Sequence, residues 1–294
     1  MPGDLISIVL LPLILAFIMF SLGLGLTLGD FRRILVQPKA LMVGVVCHFV
    51  LLPLVCFAML KLVGMGGALA VGFMIVAACP TGATSNLLTY LARGDVALAL
   101  GFTAMASVLT IFTLPVIVTW ALAHFMATDG AVPVPLPVGF LMAQVALVMG
   151  LPVGLGMLAR ARWAAWALRV EPTATRIATV LFVIILVLAV VKNFATVQAH
   201  LISLAPMALA LNLTMLSVGF AVAWAARLPR RQAVTLGIET AVQNAALSLV
   251  VASSVLNDGD MAIPGAIYGV NMYVGGLLFA WVMRRFVVPP EAVT

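Results

Sequence analysis

Nine long apolar segments dominate this chain and constrain its fold more than any other feature. Each has about the 20 residues that an α-helix needs to cross the hydrocarbon core of a bilayer. The segments are Leu5–Gly29, Ala40–Leu60, Ala68–Leu91, Val96–Phe125, Val138–Leu158, Ile177–Gln198, Ser203–Ala226, Gln232–Ser254 and Met261–Met283. The pattern predicts an all-α polytopic membrane protein with nine transmembrane helices.

The composition supports the membrane class. The 294 residues are 65% hydrophobic and 8% charged, with a mean hydropathy of +1.26, whereas a soluble domain carries about 25% charged residues. The net charge of +6 does not indicate nucleic-acid binding, because the basic residues flank the apolar segments. The three cysteines lie inside apolar segments without a Cys-x-x-Cys pair, so no disulfide or metal cluster is expected.

The basic residues predict the orientation in the membrane. Connections after odd-numbered segments hold 13 of the 15 basic residues, namely Arg32, Arg33, Lys39, Arg93, Arg160, Arg162, Arg169, Arg176, Arg227, Arg230, Arg231, Arg284 and Arg285. The other side holds Lys61 and Lys192. Because positive loops stay in the cytoplasm, the N-terminus is expected outside and the C-terminus in the cytoplasm. Asp4, with no basic residue before the first segment, is not typical of a cleaved signal peptide.

One acidic residue lies inside an apolar segment. Eight of the nine acidic residues fall in loops or near segment ends, and Glu239 is the exception. A carboxylate at membrane depth is costly and faces a partner, an ion or a watery cavity. The sequence therefore predicts a carrier built around Glu239. The alternative is a protonated, structural glutamate.

Two segments are interrupted by polar residues. Residues 80–86 (Pro-Thr-Gly-Ala-Thr-Ser-Asn) interrupt the third segment, and residues 239–244 interrupt the eighth. The two segments are five positions apart in the series, an odd number, so they run in opposite directions, which is typical of an inverted repeat with discontinuous helices. We expect one transporter unit over residues 1–294. Its first repeat comprises residues 1–127 and has four helices, so it lacks one helix. Its second repeat comprises residues 138–286 and has five helices.

The interrupted segments bring oxygen donors to membrane depth. Ser85, Asn86, Thr103 and Gln243 could join Glu239 in a site for a hard cation such as sodium, which prefers oxygen ligands. The amide ends of the broken helices favour an anion. The alternatives are ordinary helix-packing hydroxyls and interhelical hydrogen bonds of the amide side chains.

These segments resemble the bile acid:sodium symporter family. The resemblance covers nearly the whole chain and is carried by residues 79–95 (Cys-Pro-Thr-Gly-Ala-Thr-Ser-Asn-Leu-Leu-Thr-Tyr-Leu-Ala-Arg-Gly-Asp), 239–244 (Glu-Thr-Ala-Val-Gln-Asn), 264–266 (Pro-Gly-Ala) and 23–28 (Gly-Leu-Gly-Leu-Thr-Leu). It implies that the two discontinuous helices cross in a core domain, about residues 68–125 and 203–286. A panel domain, about residues 5–60 and 138–198, would move against this core. Bacterial members commonly have ten helices, and this chain resembles them from their second helix onward.

The resemblance implies two sodium sites, and this chain departs from both. The first would use Ser85, Asn86, Thr103 and Glu239, but a family serine falls on Ala99. The second would use Glu239, Gln243 and the carbonyls of Thr240 and Val242, but a family glutamine falls on His48. Imidazole nitrogen is a poor sodium ligand and can take a proton near neutral pH. We therefore expect one sodium ion, or a proton, rather than two sodium ions.

The resemblance also implies the substrate class. Thr84, Asn244 and Asn271 are expected to face an organic anion, either bile-acid-like or a small carboxylate. The predicted function is sodium-coupled symport by alternating access in a bacterial inner membrane. No cofactor is expected beyond the coupling ion, and the expected partners are the substrate, sodium and the lipid bilayer.

Two other functions stay open. The first is a proton-coupled or uncoupled organic-anion exchanger or efflux carrier. The second is an intramembrane enzyme, for which Cys79 and His48 are the available nucleophile and base. We expect a transporter rather than an enzyme.

Overall fold

The computed structural model describes residues 9–27, 29–30, 38–82, 84–126, 138–192 and 194–287. Apart from one antiparallel bridge, these residues form helices and their connections. The helices are α1 (Leu11–Gly25), α2 (Pro38–Val63), α3 (Gly67–Ala78), α4 (Ser85–Leu91), α5 (Val96–Phe125), α6 (Val138–Arg162), α7 (Ala164–Lys192), α8 (Phe194–Ala225), α9 (Arg230–Ala241), α10 (Ala245–Val255) and α11 (Asp260–Val287).

Six of the described helices are long and apolar enough to cross a membrane. They are α2, α5, α6, α7, α8 and α11, while α1, α3 and α10 are shorter apolar helices. The outer surface is apolar as well, since Ile202 is 90% exposed and Leu62 is 87% exposed. The structure confirms an all-helical chain that fits a polytopic membrane protein. The count of nine spans stays a prediction.

Helix α1 packs against α6 and α7. Gly23 of α1 and Gly156 of α6 face each other, and a side chain on either would overlap the backbone of the other helix. Leu24 then packs with Ala159 and Ala167 of α6 and α7. Small residues that let backbones approach closely are the usual contact between membrane helices. Helices α1, α6 and α7 therefore form one packing group.

Helix α2 packs with a different group of helices. Ala40 lies in one apolar cluster with Phe102 of α5, Ala223 of α8 and Leu236 of α9. Gly44 allows this approach, because a Cβ there would lie 2.5 Å from the Phe102 ring. Residues 40–60 were expected in the panel domain, and their helix contacts helices expected in the core. Among the described residues of this region, α1 makes the close contact with α6 and α7. The division into panel and core stays a prediction.

Helices extend beyond some of the predicted apolar segments. The polar connection with Arg160, Arg169 and Arg176 is helical except around Trp163. Residues 199–202, expected in the connection before Ser203, lie within α8 (Phe194–Ala225). Alanine, leucine, arginine and glutamate are good helix formers, so these helices continue beyond their most apolar windows.

Candidate functional site: two crossing helix breaks

The first break separates α3 from α4. Helix α3 ends at Ala78, and Cys79 adopts an extended conformation with φ −67° and ψ 155°. Proline disfavours the helical conformation of the residue before it and lacks an N–H donor. Pro80 therefore ends the helix, and the helical conformation resumes at Ser85.

The second break separates α9 from α10. Helix α9 ends at Ala241, and Val242 is extended. Asn244 caps α10, because its side-chain oxygen accepts a hydrogen bond from the Leu247 amide at 3.0 Å. An asparagine in this position satisfies one of the amides that a helix start leaves unpaired. The polar stretch from 239 to 244 thus ends one helix and starts the next, as predicted.

The two breaks cross and pair through their backbones. Thr81 and Gln243 form an antiparallel bridge. The Gly82 amide donates to the Val242 carbonyl at 3.0 Å, and the Asn244 amide donates to the Pro80 carbonyl at 2.8 Å. A Cβ at Gly82 would lie 2.9 Å from the Gln243 carbonyl oxygen, so glycine permits this contact. The irregular backbone is buried in protein, the setting in which a membrane tolerates it.

Side chains from four other segments hold the last carbonyls of α9. The Glu239 carbonyl accepts from Thr81 Oγ1 at 3.0 Å and contacts His48 Nδ1 at 3.0 Å. The Ala241 carbonyl accepts from Tyr268 Oη at 2.7 Å and from Asn212 Nδ2 at 2.9 Å. The end of a helix leaves its final carbonyls without partners. Here distant residues supply those partners and fix the break.

His48 bridges the two breaks. Its Nδ1 lies 3.0 Å from the Glu239 carbonyl oxygen, and its Nε2 lies 3.0 Å from the Cys79 carbonyl oxygen. A neutral imidazole has one N–H to donate, whereas an imidazolium donates from both nitrogens. His48 thus presents nitrogen, not oxygen, to both carbonyls. It contacts the Cys79 backbone rather than the thiol, so the nucleophile–base pair considered for an enzyme is not formed.

Glu239 lies beside the crossing, and its segment and the first break both carry buried oxygen atoms. Its side chain is 0% exposed, and Oε2 accepts a hydrogen bond from Thr103 Oγ1 at 2.9 Å. Glu239 Oε1, Ser85 Oγ, Asn86 Oδ1 and Gln243 Oε1 are buried without a hydrogen-bond partner. Ser85 is close enough to interact with the carboxyl group, although not in ordinary hydrogen-bond geometry. Buried polar atoms are rarely left unpaired, so this oxygen set fits a hard cation.

The oxygen atoms expected at a second sodium site are less available. The Thr240 carbonyl accepts from Gln243 Nε2 at 2.7 Å, and the Val242 carbonyl accepts from Gly82. At the first site, Ala99 is fully buried and brings no hydroxyl. Among the described residues no group of three or more His, Cys, Asp and Glu side chains could hold a metal ion. A sodium site with one carboxylate and neutral oxygens does not need such a group.

A cavity of about 440 Å³ opens next to the crossing. Thr84, Asn86, Gln243 and Asn244 line it at the breaks, and Tyr273 lines it from α11. Its other described lining residues are mostly apolar side chains of α1, α4, α7 and α11. A largely apolar pocket with a few converging polar groups is typical of a small-molecule site.

The structure brings two of the three expected substrate residues to this cavity. Thr84 and Asn244 line it, but Asn271 does not and instead donates to the Ile267 carbonyl of its own helix at 3.1 Å. Two positions further on, Tyr273 reaches the cavity and donates to Thr84 Oγ1 at 3.1 Å. Asn271 and Tyr273 are two positions apart on α11, so their side chains leave the helix in different directions.

The sequence did not predict three residues that contact the second break or line the cavity. Asn212 and Tyr268 hold the Ala241 carbonyl, and Glu171 lines the cavity from α7. A polar residue at mid-segment was an available signal for Asn212. Glu171 had no such signal, because it stands in a stretch that looks like a loop.

The model of the Sodium Bile acid symporter family matches residues 12–201. The matched region is more than half of the chain and includes the first break. The chain belongs to this family. The recognition made from the two interrupted segments is therefore confirmed.

Curated relatives extend this similarity over nearly the whole chain. A probable sodium/metabolite cotransporter, BASS1, from Oryza sativa subsp. japonica is 28% identical over 277 residues, 94% of this chain and 66% of the relative. The human ileal sodium/bile acid cotransporter is 28% identical over 251 residues, 83% of this chain and 70% of the relative. The sodium-dependent transporter YocS of Bacillus subtilis is 32% identical over 108 residues, 37% and 34% of the two chains. This chain therefore spans just under two thirds of the length of the rice protein.

Proposed function

We propose that this protein is a secondary-active symporter that moves an organic anion together with sodium by alternating access. The observation that carries this proposal is the fully buried Glu239 with an unpaired Oε1, next to other unpaired buried oxygens at the crossing. A sodium ion there would compensate the charge and complete the bonding of these atoms. Family membership and the names of the relatives support sodium coupling.

We assign the coupling ion to a single site. Glu239, Ser85, Asn86, Thr103 and Gln243 would bind one sodium ion. The expected second site is disfavoured, because His48 places nitrogen against the Glu239 and Cys79 carbonyls, and the Thr240 and Val242 carbonyls already accept hydrogen bonds. Of the sodium-binding residues inferred from the family, His48, Thr240 and Val242 would therefore shape the crossing rather than bind the ion.

A proton-coupled or uncoupled exchanger is the second candidate. The observation that favours it is the same unpaired Glu239 Oε1, which can take a proton instead of facing a metal ion. In that case the carrier would exchange or export organic anions without a sodium gradient.

The cavity would hold the organic anion, with Thr84, Asn244 and Tyr273 as its polar contacts. We further propose nine spans in an inverted repeat, in a bacterial inner membrane, with the N-terminus outside and the C-terminus in the cytoplasm. Helices α1, α6 and α7 would form the panel, and the remaining helices would form the core that carries both breaks. The cavity supports this division, because its lining residues come from both groups.

Uptake into proteoliposomes tests the proposed function. Labelled carboxylates are presented at fixed pH with an inward gradient of sodium or of potassium. Sodium-coupled symport predicts concentrative uptake of at least one carboxylate in sodium and none in potassium. Equal uptake in both salts would rule out sodium coupling and favour the exchanger.

A further inference from the structure

The substrate cavity has one charged side chain among its described lining residues, and that charge is negative. It belongs to Glu171 of α7. The described lining contains no lysine, arginine or histidine. A carboxylate in a cavity meant for an organic anion needs a physical explanation, because like charges close together repel.

Glu171 begins a row of residues along one face of α7. Thr175 and Ala178 follow it, and Phe182 ends the row. At about 100° of rotation per residue, these four positions stay within about 40° of one direction. Thr175 Oγ1 donates to Glu171 Oε1 at 3.2 Å, and it also lies 3.4 Å from Ser21 Oγ of α1. The row therefore faces the gap between α1 and α7 and gives the cavity a polar end.

The polar end lies far from the breaks. Phe182 and Ala245 both come close to Gly269, so Phe182 is level with the start of α10. Glu171 precedes Phe182 by eleven residues, which is about 16 Å along a helix. The cavity therefore joins two separated polar regions, one with Thr84 and Asn244 and one with Glu171, through a mostly apolar middle.

Arg169 and Arg176 do not place a positive charge inside the cavity next to the Glu171 carboxylate. Arg169 and Arg176 are on the same helix, but their directions differ from that of Glu171 by about 160° and about 140°. Neither lines the cavity. Gly25 lies opposite, and a Cβ there would be 3.9 Å from Glu171 Oε1, so α1 approaches the carboxylate without covering it.

We propose that Glu171 is a specificity-determining residue that recognises a hydrogen-bond donor on the end of the substrate remote from its carboxylate. An ionised carboxylate accepts hydrogen bonds and donates none, so its partner is a hydroxyl or an ammonium group. The substrate class is thus an elongated molecule with one carboxylate, an apolar middle and a donor at its far end. This inference rests on the proposed function, in which the anionic end lies at the breaks.

The same residue would exclude dianions. A second carboxylate at the far end would face Glu171 without an intervening cation from the described lining. Specificity that comes from such an unfavourable contact is as effective as specificity from an attractive one.

Four chain-like acids of equal length test the proposal. Dodecanoate, its ω-hydroxy and ω-amino derivatives and dodecanedioate are titrated by calorimetry against the full-length protein in nanodiscs, in sodium and in potassium. We expect the wild type to bind the two donor-bearing acids about tenfold more tightly than dodecanoate, which is the lower range for a hydrogen bond to a charged group. Dodecanedioate should bind most weakly.

Two variants separate recognition from general charge effects. Glu171→Gln keeps the shape and should lower the affinity for the ω-amino acid about tenfold while raising that for dodecanedioate. Asp260→Asn removes an exposed carboxylate outside the cavity lining and should change none of the four affinities. If the wild type binds in a sodium-dependent way but Glu171→Gln binds the four acids in the same order of affinity as the wild type, the inference is overturned and the proposed function is not. A wild type that binds no carboxylate in a sodium-dependent way contradicts the proposed function and the inference together.

Discussion

At the residue scale, the two carboxyl oxygens of the buried Glu239 differ in their hydrogen bonding. One oxygen of its carboxyl group has a hydroxyl partner in Thr103, and the other has none. A fully satisfied carboxylate would have no remaining need of a cation. A carboxylate with no partner at all would be costly in the ion-free protein. This half-satisfied state suits a group that must bind and release an ion in every cycle.

The Thr103 hydroxyl should therefore contribute to sodium affinity. Thr103→Val preserves the shape but leaves Glu239 Oε2 without its partner. We expect the sodium concentration for half-maximal stabilisation to rise about tenfold, because hydrogen bonds to charged groups contribute about 1.5–3 kcal/mol. Thermal unfolding of the purified protein over a sodium titration measures this shift.

Ser107→Ala is the matched control for this change. Its hydroxyl lies one turn further along the same helix and donates to the Thr103 carbonyl, not to Glu239. The sodium dependence of thermal stability in Ser107→Ala should equal that of the wild type. Equal sodium dependence of Thr103→Val and Ser107→Ala would exclude Thr103 from the ion site.

His48 should determine how many sodium ions bind. His48→Gln brings the residue type that the family resemblance implies there, with a side-chain oxygen in place of a nitrogen near the two carbonyls. We expect a sodium Hill coefficient of about one in the wild type and a higher value in the variant, measured from sodium-dependent uptake. The control is His124→Gln, near the C-terminal end of α5, for which the sodium Hill coefficient should stay at about one. A wild-type coefficient near two would contradict a single sodium site.

At the element scale, the sequence predicted where the helices break but not what holds the breaks. Pro80 and the polar run from 239 to 244 are local signals, and membrane burial makes such signals strong. The partners of the α9 carbonyls come from elsewhere in the chain. His48 is 191 residues from Glu239, and Tyr268 is 27 residues from Ala241. No local pattern encodes these contacts, because they depend on how the helices pack.

The crossing should be sensitive to the volume of a single methyl group. Gly82→Ala would place a Cβ 2.9 Å from the Gln243 carbonyl oxygen, a backbone atom that cannot move aside easily. Overpacking of this kind costs about 1–3 kcal/mol, so the variant should unfold at a lower temperature. It should also bind sodium more weakly, because Gln243 belongs to the proposed ion site.

Gly139→Ala controls for the loss of a glycine in a helical segment. A Cβ at this position meets nothing within 4 Å. Its unfolding temperature and sodium response should match those of the wild type. If Gly82→Ala behaved in the same way, the close backbone contact between the breaks would have no role in ion binding.

At the scale of the whole molecule, the grouping of the helices depends on contacts between apolar segments. The family resemblance implied that residues 40–60 belong to the panel, and the structure packs Ala40 with α5, α8 and α9. Apolar membrane segments carry little information about which neighbour they contact, since lipid and protein are similarly apolar. Glu171 was assigned to a loop for a different reason, because its polar surroundings hid the helix that carries it to the cavity.

The two helix groups place the ion site and the cavity next to each other. Asn86 and Gln243 line the cavity, and Oδ1 of Asn86 and Oε1 of Gln243 are also buried oxygens without a hydrogen-bond partner. Ion and substrate would therefore share residues at the crossing. Occupation of one site should change the affinity of the other, as coupled transport requires.

The most direct measurement is the sodium-dependent thermal stabilisation of the wild type and of Glu239→Gln. Both proteins are unfolded in sodium or potassium chloride at equal ionic strength, without added substrate. A ligand that binds the folded state alone raises its stability with concentration. Sodium coupling through Glu239 predicts saturable stabilisation of the wild type by sodium, none by potassium, and none of Glu239→Gln by either salt. Equal stabilisation of the wild type by both salts, or a sodium response retained in Glu239→Gln, would contradict it.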